Sequence, residues 1–366
     1  MEIKTDLNRK LIEVGEQFLL QGEFCSSELI TRGNINTTYC VTYNNPNKKY
    51  IFQKVNTYVF HEPKQIMHNI DLVTEHIRQK GTSGVPLHYH HTQDRKNYWF
   101  DEDGNFWRVS NYINSVTYQI SDNPKVLYMG GKAFGEFQTS LSDFDATKLY
   151  ETIPNFHNTK KRLKKFFEIV EIDPLGRVAE AKNEIEYIRA QRSRAEELTN
   201  LLENGTLPLR VTHNDTKINN VLFSPETLEP LVVIDLDTVM PGLPAYDFGD
   251  AVRFAANTAE EDEPDVSKVS LDLELYRAFA EGFVKATAGT LKEEELKSLA
   301  LGAFTITIEL AMRFLEDYLT GDKYFKTNYA GHNLVRCRCQ LTLARDMEKK
   351  FDEMNKIVEE TAEKNR

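Results

Sequence analysis

Residues 211–223 read VTHNDTKINNVLF, and residues 231–242 read LVVIDLDTVMPG. Asp215 lies in a short polar loop between two apolar runs, and Asn220 follows it five residues later. Asp235 comes directly after the apolar run 231–234. Short apolar runs of this kind predict strands at 209–212, 221–223 and 231–234. The three polar side chains are therefore expected at strand ends and in loops, where a rigid scaffold presents reactive groups.

These side-chain types suit one class of chemistry. One carboxylate can accept a proton from a hydroxyl group, while a second carboxylate and an amide oxygen can hold a hard divalent cation. Phosphoryl transfer requires from a protein chiefly a metal ion, correct positioning and a group that orients the nucleophile. The alternative interpretation is that Asp215 and Asp235 only form turns and cap helices. Their spacing favours a site for phosphoryl transfer.

The first third of the chain predicts a mainly antiparallel sheet. Two β-rich runs, 37–43 and 49–55, flank the turn-forming residues 44–47, and further strands are expected at 98–100 and 106–113. Helical spacing of apolar residues predicts helices at 6–20 and 63–80.

The remainder of the chain is predicted to be mainly helical. Apolar periodicity predicts helices at 124–142, 158–171, 178–203, 271–286, 292–318 and 333–362. We therefore expect a β-rich N-terminal part, residues 1–113, and a helical C-terminal part, residues 114–366.

Composition and charge restrict the partners. The 366 residues include 45 Lys and Arg against 56 Asp and Glu, a formal net charge of −11. This argues against a main role in binding nucleic acid or anionic membranes, because both require a basic surface. No apolar run reaches the ~20 residues of a membrane helix, and MEIKTDLNRK at the start lacks the apolar region of a signal peptide. We expect a cytoplasmic protein with reduced cysteines that binds small molecules.

The loop and the strand that follows it resemble a known family. His213-x-Asp215-(x)4-Asn220, with Asp235 at a strand end fifteen residues after Asn220, resembles the catalytic loop and metal-binding Asp of the protein-kinase-like fold. The forms HNDTKINN and IDLDT are similar to the aminoglycoside phosphotransferase and choline kinase branch. The resemblance implies an α/β (α+β) fold of two lobes. The antiparallel β-rich N-lobe, residues 1–113, would bind the nucleotide, and the mainly helical C-lobe, residues 114–366, would carry the catalytic loop.

Further segments resemble the N-acetylhexosamine 1-kinases of that branch over nearly the whole chain. They are GNINTTYCVT at 33–42, FQKVNTYVF at 52–60, THNDTKINNVL, IDLDTVMPG, YDFGDAVRFAA at 246–256 and MRFLEDYLTGDKYF at 312–325. The resemblance implies ATP-dependent phosphorylation of N-acetylglucosamine or N-acetylgalactosamine at the anomeric hydroxyl, with Mg²⁺ as cofactor.

The resemblance also assigns catalytic and metal-binding roles. Asp215 would be the base that accepts the proton of the anomeric hydroxyl, and it would thereby contact the sugar. Asn220 and Asp235 would bind Mg²⁺, and Asp237 is a further candidate carboxylate near the metal. His213 would brace the loop by hydrogen bonds.

Other residues would position these groups or bind ATP. Asp247 and Asp250 would cap the following helix and hold the catalytic loop. Residues 33–38 would form the turn over the ATP phosphates, because Gly permits close approach of the backbone and a Thr hydroxyl can donate to phosphate. The ATP-binding residues implied are Gly33, Asn34, Thr37, Thr38, Gln53, Lys54, Asn111, Tyr112 and Ile113, the last three joining the lobes and facing the adenine with main-chain groups.

One departure from the fold's pattern concerns the third strand, YIFQKVN. Kinases of this fold usually carry a cation there that pairs with the phosphates and with a helix Glu. Gln53 best fits that position, whereas Lys54 faces the opposite side because side chains alternate along a strand. Either a shifted register or a bulge turns Lys54 inward, or the phosphates lack this cation. Asp71 and Glu75 are the candidate helix partners.

For the acceptor side, Arg313 and Tyr324 stand out. Arg313 lies in a helical pattern between the apolar residues Met312 and Phe314, where an Arg needs a partner. Helical spacing allows an ion pair with Glu309 or Glu316. The family resemblance favours instead a hydrogen bond from Arg313 to an N-acetyl or hydroxyl oxygen of the sugar.

Two other functions remain open at this point. A kinase of the same fold could act on an aminoglycoside, choline, homoserine or methylthioribose, and a cationic acceptor would require carboxylates or aromatic faces around it. A catalytically inactive nucleotide-binding regulator is the second, and it is favoured only by the unusual third strand.

Overall fold

The computed structural model describes residues 2–31, 35–81 and 87–365. An antiparallel five-stranded sheet of order β1-β2-β3-β5-β4 lies in the first third of the chain. Two two-stranded sheets, β6-β9 and β7-β8, carry the loops that hold Asp215 and Asp235. The strands are β1 Glu23–Ile30, β2 Thr37–Asn44, β3 Lys48–Val55, β4 Trp99–Phe100, β5 Phe106–Asn111, β6 Arg210–Thr212, β7 Val221–Phe223, β8 Pro230–Val233 and β9 Met240–Gly242.

Helices make up most of the chain beyond the large sheet. The α-helices are α1 Glu2–Gln17, α2 Pro63–Lys80, α3 Pro124–Ser140, α4 Thr159–Ile172, α5 Lys182–Ala190, α6 Arg192–Ala195, α7 Glu197–Glu203, α8 Pro244–Ala255, α9 Leu273–Ala286, α10 Glu293–Lys297, α11 Leu299–Thr320, α12 His332–Lys349 and α13 Phe351–Lys364. In the described part of the chain, no helix is long and apolar enough to span a membrane.

The two faces of the large sheet pack against different cores. One face, which includes Tyr50 and Phe52, joins Leu11 and Val14 of α1 in a small apolar cluster. The other face contributes Val55 and Phe106 to the main core, which continues through α2 into the helical part. The sheet is therefore joined to the helical part by continuous apolar packing as well as by the chain.

Strand register places three polar side chains in one row. Gln53 of β3 lies directly opposite Thr38 of β2 on one side and Arg108 of β5 on the other. Directly opposed residues in antiparallel strands share a face, so all three side chains lie on the face that packs toward α2. This row runs beside the segment that carries Asp235.

The predicted elements agree with the structure in type, and the differences lie in their extent and in elements that were not predicted. The predicted helix 178–203 is broken into α5, α6 and α7, and the predicted helices 292–318 and 333–362 are each divided in two. Strands β1 and β9 had no clear signal. Helix α8 already begins at Pro244, whose fixed φ suits a first helical position, so Asp247 lies inside the first turn and does not cap it.

Candidate active site

The loop between β6 and β7 brings the predicted base and an amide together. Asn220 donates from Nδ2 to the main-chain oxygen of Asp215 at 2.8 Å and to its Oδ2 at 3.1 Å. Lys217 pairs with the other carboxylate oxygen, Oδ1, at 2.8 Å. The Asp215 side chain remains 29% exposed, so a substrate can reach it.

His213 is fully buried behind this loop. Its Nδ1 accepts a hydrogen bond from the amide of Asp215 at 3.3 Å, which makes Nε2 the protonated nitrogen. Nε2 then donates to the carbonyl of Ile234 at 2.9 Å. The ring thus links the residue before Asp235 to the amide of Asp215, as a loop-bracing residue would.

Two carboxylates of α8 hold the loop backbone. Asp247 accepts from the amides of His213 at 2.9 Å and Asn214 at 2.8 Å. Asp250 accepts from the amide of Thr216 at 3.0 Å and pairs with Arg253 at 3.0 Å. Burial acts to raise the pKa of Asp250, but Arg253 and then Lys217 lower it overall. The carboxylates of Asp247 and Asp250 therefore hold the loop backbone from the side of α8, and the Asp215 side chain stays partly exposed.

Asp235 follows β8 in a left-handed conformation, with φ 62° and ψ 54°. Removal from bulk water by the surrounding protein, then the charges of Asp237 and Asp215, raises the pKa of Asp235 to about 6, against the opposite effects of Arg108 and His213. The residue nevertheless stays exposed on its open side. Crowded, exposed carboxylate oxygens of this kind fit a hard divalent cation, which would relieve the repulsion.

Asn220 is the second residue that fits such a cation. Its Nδ2 is committed to Asp215, which directs the amide, and within the described residues its Oδ1 accepts no hydrogen bond. A carboxylate oxygen from Asp235 and an amide oxygen from Asn220 match the all-oxygen ligand set that Mg²⁺ prefers, with phosphates and water completing it.

Asp237 has a different environment from Asp235. Its carboxylate forms a bidentate ion pair with Arg108, whose Nη2 lies 3.0 Å from Oδ2 and whose Nη1 contacts Oδ1. Asn36 also donates to Oδ2, at 2.7 Å. Both oxygens are engaged by donors from the sheet side, so a metal ion would have to share this carboxylate with a guanidinium. The geometry disfavours the prediction of Asp237 as a metal ligand.

The predicted phosphate turn is described only in part, because Gly33 and Asn34 lie outside the described residues. Thr37 and Thr38 begin β2, and the Thr38 hydroxyl accepts from Gln53 Nε2 at 3.2 Å. Gln53 in turn accepts from Arg108 Nε at 2.9 Å. Gln53 thus lies on the inner face, joined to a buried cation on the neighbouring strand.

Lys54 and the two helix carboxylates do not form the predicted pair. Lys54 shares its face with Phe52, beneath α1, and β3 pairs with both neighbouring strands without a register shift there. Glu75 pairs with Arg78, while Asp71 lies 4.0 Å from His91 at the surface. The expectation that Asp71 or Glu75 pairs with Gln53 or Lys54 is therefore wrong in this structure, because both point away from the inner face.

Lys54→Met is expected to leave the KM for ATP and kcat within about twofold of the parent, because Lys54 lies on the face away from Asp235. Gln53→Ala removes two hydrogen bonds worth about 1 kcal/mol each, so we expect a loss of about tenfold in kcat/KM for ATP. Steady-state kinetics with varied ATP measures both. A tenfold loss in Lys54→Met would show that this lysine serves the phosphates after all.

The predicted adenine-facing stretch lies where β5 ends. The amide of Asn111 donates to the carbonyl of His88 at 3.1 Å, and the amide of Tyr112 donates to that of Lys49 at 3.3 Å. Ile113 is buried, whereas Tyr112 is partly exposed beneath the Lys49 ammonium. The contact of this stretch with adenine, and the lobe boundary beside it, stay predictions.

Arg313 lies on α11 among aromatic rings. Its guanidinium carbon is 5.9 Å from the ring centre of Phe156, 5.8 Å from that of Tyr324 and 5.5 Å from that of Phe325. Burial, then the charge of Arg162, lowers the pKa of Arg313. A half-buried cation held by ring faces is a strong donor for a neutral oxygen acceptor.

The ion pairs allowed by helical spacing do not form. Glu309 pairs with His157 at 3.0 Å and with Arg162 at 3.4 Å, and Glu316 pairs with Lys165. In the described ranges, no carboxylate lies within ion-pair distance of Arg313. Nε2 of His157 is also buried and has no hydrogen-bond partner among the described residues. Among the described residues, Arg313 therefore lacks the ion-pair partner that helical spacing would give it.

Two residues of the site were missed by sequence reasoning. Lys217 had a local signal, because it follows the base by two residues in a loop too short to direct its side chain far away. Arg108 had a weaker one: it is a charged residue in the middle of the fully buried strand β5, where charge is rare. Its partner Asp237 lies 129 residues away, so spacing gave no indication of the pair.

Comparison with known proteins agrees with this geometry. Residues 27–282 match the profile of the phosphotransferase enzyme family. The chain belongs to this family.

Solved structures show the same fold. This phosphotransferase is 12% identical to an aminoglycoside phosphotransferase from Alicyclobacillus acidocaldarius, with a TM-score of 0.63 over 95% of this chain and 96% of that one. It is 15% identical to choline kinase from Cryptosporidium parvum, with a TM-score of 0.55 over 96% of each chain. A spectinomycin phosphotransferase solved with ADP and spectinomycin is 13% identical, with a TM-score of 0.55 over 96% and 98%.

The predicted protein-kinase-like fold is confirmed for this phosphotransferase, with its antiparallel sheet in the N-terminal region and its mainly helical remainder. The related structures share 12 to 15% of residues with it. At that distance the likeness establishes the fold, whereas the acceptor is specified by individual side chains.

Proposed function

We propose that this phosphotransferase is a cytoplasmic, ATP-dependent kinase that phosphorylates N-acetylglucosamine or N-acetylgalactosamine at the anomeric hydroxyl, giving the sugar 1-phosphate and ADP. The observation that carries the proposal on the chemical side is the arrangement of Asp215, Asn220 and Asp235 within one hydrogen-bonded loop system. Family membership supports phosphoryl transfer, and the acceptor side supports a neutral sugar.

Asp215 would accept the proton as the anomeric oxygen attacks the γ-phosphorus. Proton transfer requires a carboxylate that is ionised and exposed, and Asp215 has both an open face and a cation at its side. Lys217 pairs with Oδ1 of this carboxylate, and its ammonium would offset negative charge beside the base during transfer. Asn220 fixes the carboxylate through the second oxygen.

Asn220 and Asp235 would hold Mg²⁺ through an amide and a carboxylate oxygen. Bound there with ATP, the ion would supply positive charge to the phosphate oxygens during transfer. His213 connects the backbone positions next to both functional carboxylates, so their separation is fixed by the protein before substrates bind.

The charge of the acceptor side favours a neutral sugar over a cationic acceptor. Arg313 is a half-buried cation with no carboxylate at ion-pair distance in the described part, and burial and then Arg162 lower its pKa against the opposite effect of Glu309. A choline or aminoglycoside cation there would meet like charge, which costs binding energy in a partly desolvated site. The carbonyl and hydroxyl oxygens of an N-acetylhexosamine can instead accept from Arg313.

The same charge pattern connects the acceptor side to the base. Asp250, which holds the amide of Thr216, has its pKa lowered first by Arg253 and Lys217 and to a smaller extent by His157. His157 contacts Glu309, one helical turn from Arg313 on α11. These contacts support a single acceptor region extending from Asp215 to Arg313.

The experiment that tests the proposal is ADP release with MgATP and a panel of acceptors. We expect turnover with N-acetylglucosamine or N-acetylgalactosamine to exceed that with galactose, choline, homoserine, methylthioribose and kanamycin. A preference for a cationic compound would show that this compound, and not the sugar, is the acceptor. Nucleotide binding without turnover of any acceptor would favour a catalytically inactive nucleotide-binding regulator.

Arg313→Met is expected to lower kcat/KM for the N-acetylhexosamine by about 10- to 100-fold, because a charge-assisted hydrogen bond contributes about 1.5–3 kcal/mol. The KM for ATP should hardly change. Met retains most of the apolar stem, so the melting temperature should stay near that of the parent. Kinetics with each substrate varied and thermal unfolding measure these three quantities.

Arg189→Met is a matched control, because Arg189 also stacks on a ring, that of Phe167 at 4.4 Å, on a different helix. It should leave the kinetics for both substrates unchanged. A destabilised Arg313→Met protein with parental sugar selectivity would show that Arg313 is structural.

A further inference from the structure

Arg108 ties the sheet to the segment that follows Asp235. The Arg108 side chain is 1% exposed, and that of Asp237 is 3% exposed. Besides its two contacts with Asp237, the guanidinium donates to Gln53 Oε1 and approaches the sulfur of Met67 at 3.8 Å. It lies over the ring of Tyr89. With its donors directed inward and almost no exposed surface, Arg108 is not placed to contact a nucleotide directly.

Asp237 is the point where several parts of the molecule meet. Arg108 reaches it from β5, and Asn36 reaches it from the start of β2, beside the predicted phosphate turn. The Asn36 side chain also accepts from the amide of Asn56 at 3.0 Å, which fixes its orientation. One carboxylate of the helical part is therefore bound by two elements of the large sheet.

The segment 235–239 requires such support because of its backbone. Asp235 has positive φ, which costs a non-glycine residue about 1 kcal/mol or more unless the surroundings hold it. Thr238 donates to the carbonyl of His213 at 2.7 Å, and Asn69 of α2 donates to that of Val239 at 2.9 Å. Both contacts lie on the C-terminal side of Asp237, so the Arg108 pair is the charged contact nearest to Asp235.

We propose that Arg108 is a positioning residue for the metal site: through its bidentate pair with Asp237 it holds the segment that presents Asp235 to the divalent cation. The inference rests on the proposed metal-dependent phosphoryl transfer. Under this proposal, the contact between β5 and the Asp237 segment couples the two lobes. A cation on the third strand and a carboxylate on the helix would otherwise provide that coupling. Gln53 connects Arg108 to Thr38 across the sheet by two hydrogen bonds.

Two opposite effects on metal affinity make the inference testable. Removing Arg108 deletes a positive charge near the cation and frees the carboxylate of Asp237. If charge alone mattered, or if Asp237 were itself a ligand, the metal would bind more tightly. If Arg108 acts by positioning, the metal would bind more weakly in spite of the added negative charge.

The experiment measures Mn²⁺ binding in the presence of ADP, from the electron paramagnetic resonance signal of free Mn²⁺, so no acceptor is needed. Arg108→Met is expected to raise the Mn²⁺ dissociation constant at least tenfold. Unchanged or tighter binding in the folded variant would overturn the proposal. A parent protein that binds no Mn²⁺ with ADP would also overturn it, whereas binding without sugar turnover would reject only the proposed acceptor.

Arg108→Met leaves a buried carboxylate unpaired, a change that can unfold a protein. Arg108→Lys keeps the charge but replaces the two-point contact by one, and we expect its Mn²⁺ dissociation constant to rise about threefold or more. A parental value in Arg108→Lys would contradict the positioning role. Arg210→Met is the matched control, because Arg210 of β6 pairs with the buried Glu295 at 2.7 Å. Loss of this ion pair should lower stability without changing Mn²⁺ binding.

Discussion

Asp215→Asn is expected to lower kcat by about 10²- to 10⁴-fold, the usual contribution of a general base. Asn has the shape of Asp and can still accept a hydrogen bond, so the loop should keep its fold. The KM for ATP and the melting temperature should remain close to those of the parent. Steady-state kinetics with the best acceptor of the panel, together with thermal unfolding, measures the three quantities.

Asp145→Asn serves as the control, because Asp145 also accepts from a local amide, that of Thr147, but lies at an exposed short helical turn. Its turnover should equal that of the parent. If Asp215→Asn retained near-parental turnover, the carboxylate would not be the base, and the assignment of the whole loop would fail.

Asp235→Ala is expected to remove activity by about a thousandfold or more, since metal stabilisation of the transferring phosphoryl group contributes several kcal/mol. Chelation of Mg²⁺ from the parent should have the same effect. Asp235→Asn is the companion variant, because Asn tolerates positive φ better than Ala. Activity that persists in both variants, or in the chelated parent, would contradict metal-dependent transfer.

The Asp235→Asn variant should lose activity but gain thermal stability. The pKa of Asp235 is raised to about 6 in the folded protein, above ~3.9 in an unfolded chain. The folded state therefore binds this proton more tightly, and ionisation of Asp235 reduces stability as the pH rises from about 4 to 6. Without metal at pH 7, Asp235→Asn should melt above the parent temperature. A lower melting temperature would show that the charged carboxylate is structurally required.

The local part of the site was predictable because its geometry follows from short-range spacing. Asp215 and Asn220 are five residues apart in one loop, so the loop itself brings the amide to the carboxylate. The row formed by Thr38, Gln53 and Arg108 was not predictable, because it depends on the register of three strands. Alternation did place Gln53 and Lys54 on opposite faces, and the structure shows the same arrangement.

The long-range contacts needed the folded chain. Arg108 and Asp237 meet across 129 residues, and the motif around Asp237 suggested a metal ligand, whereas the sequence assigned no role to Arg108. The sequence marks Arg313 as a charge among apolar neighbours, but the ion pair with Glu309 that helical spacing allows does not form, because Glu309 pairs with His157 and Arg162. Helical spacing identifies which side chains can meet, whereas competition from other helices decides which of them do.

The central claim is transfer of phosphate to the anomeric oxygen of an N-acetylhexosamine. The most direct measurement is nuclear magnetic resonance of the product formed from MgATP with N-acetylglucosamine or N-acetylgalactosamine. We expect a sugar phosphate whose phosphorus couples to the anomeric proton, formed together with ADP. A phosphate on any other hydroxyl, or no sugar phosphate from either compound while another acceptor is phosphorylated, would contradict it.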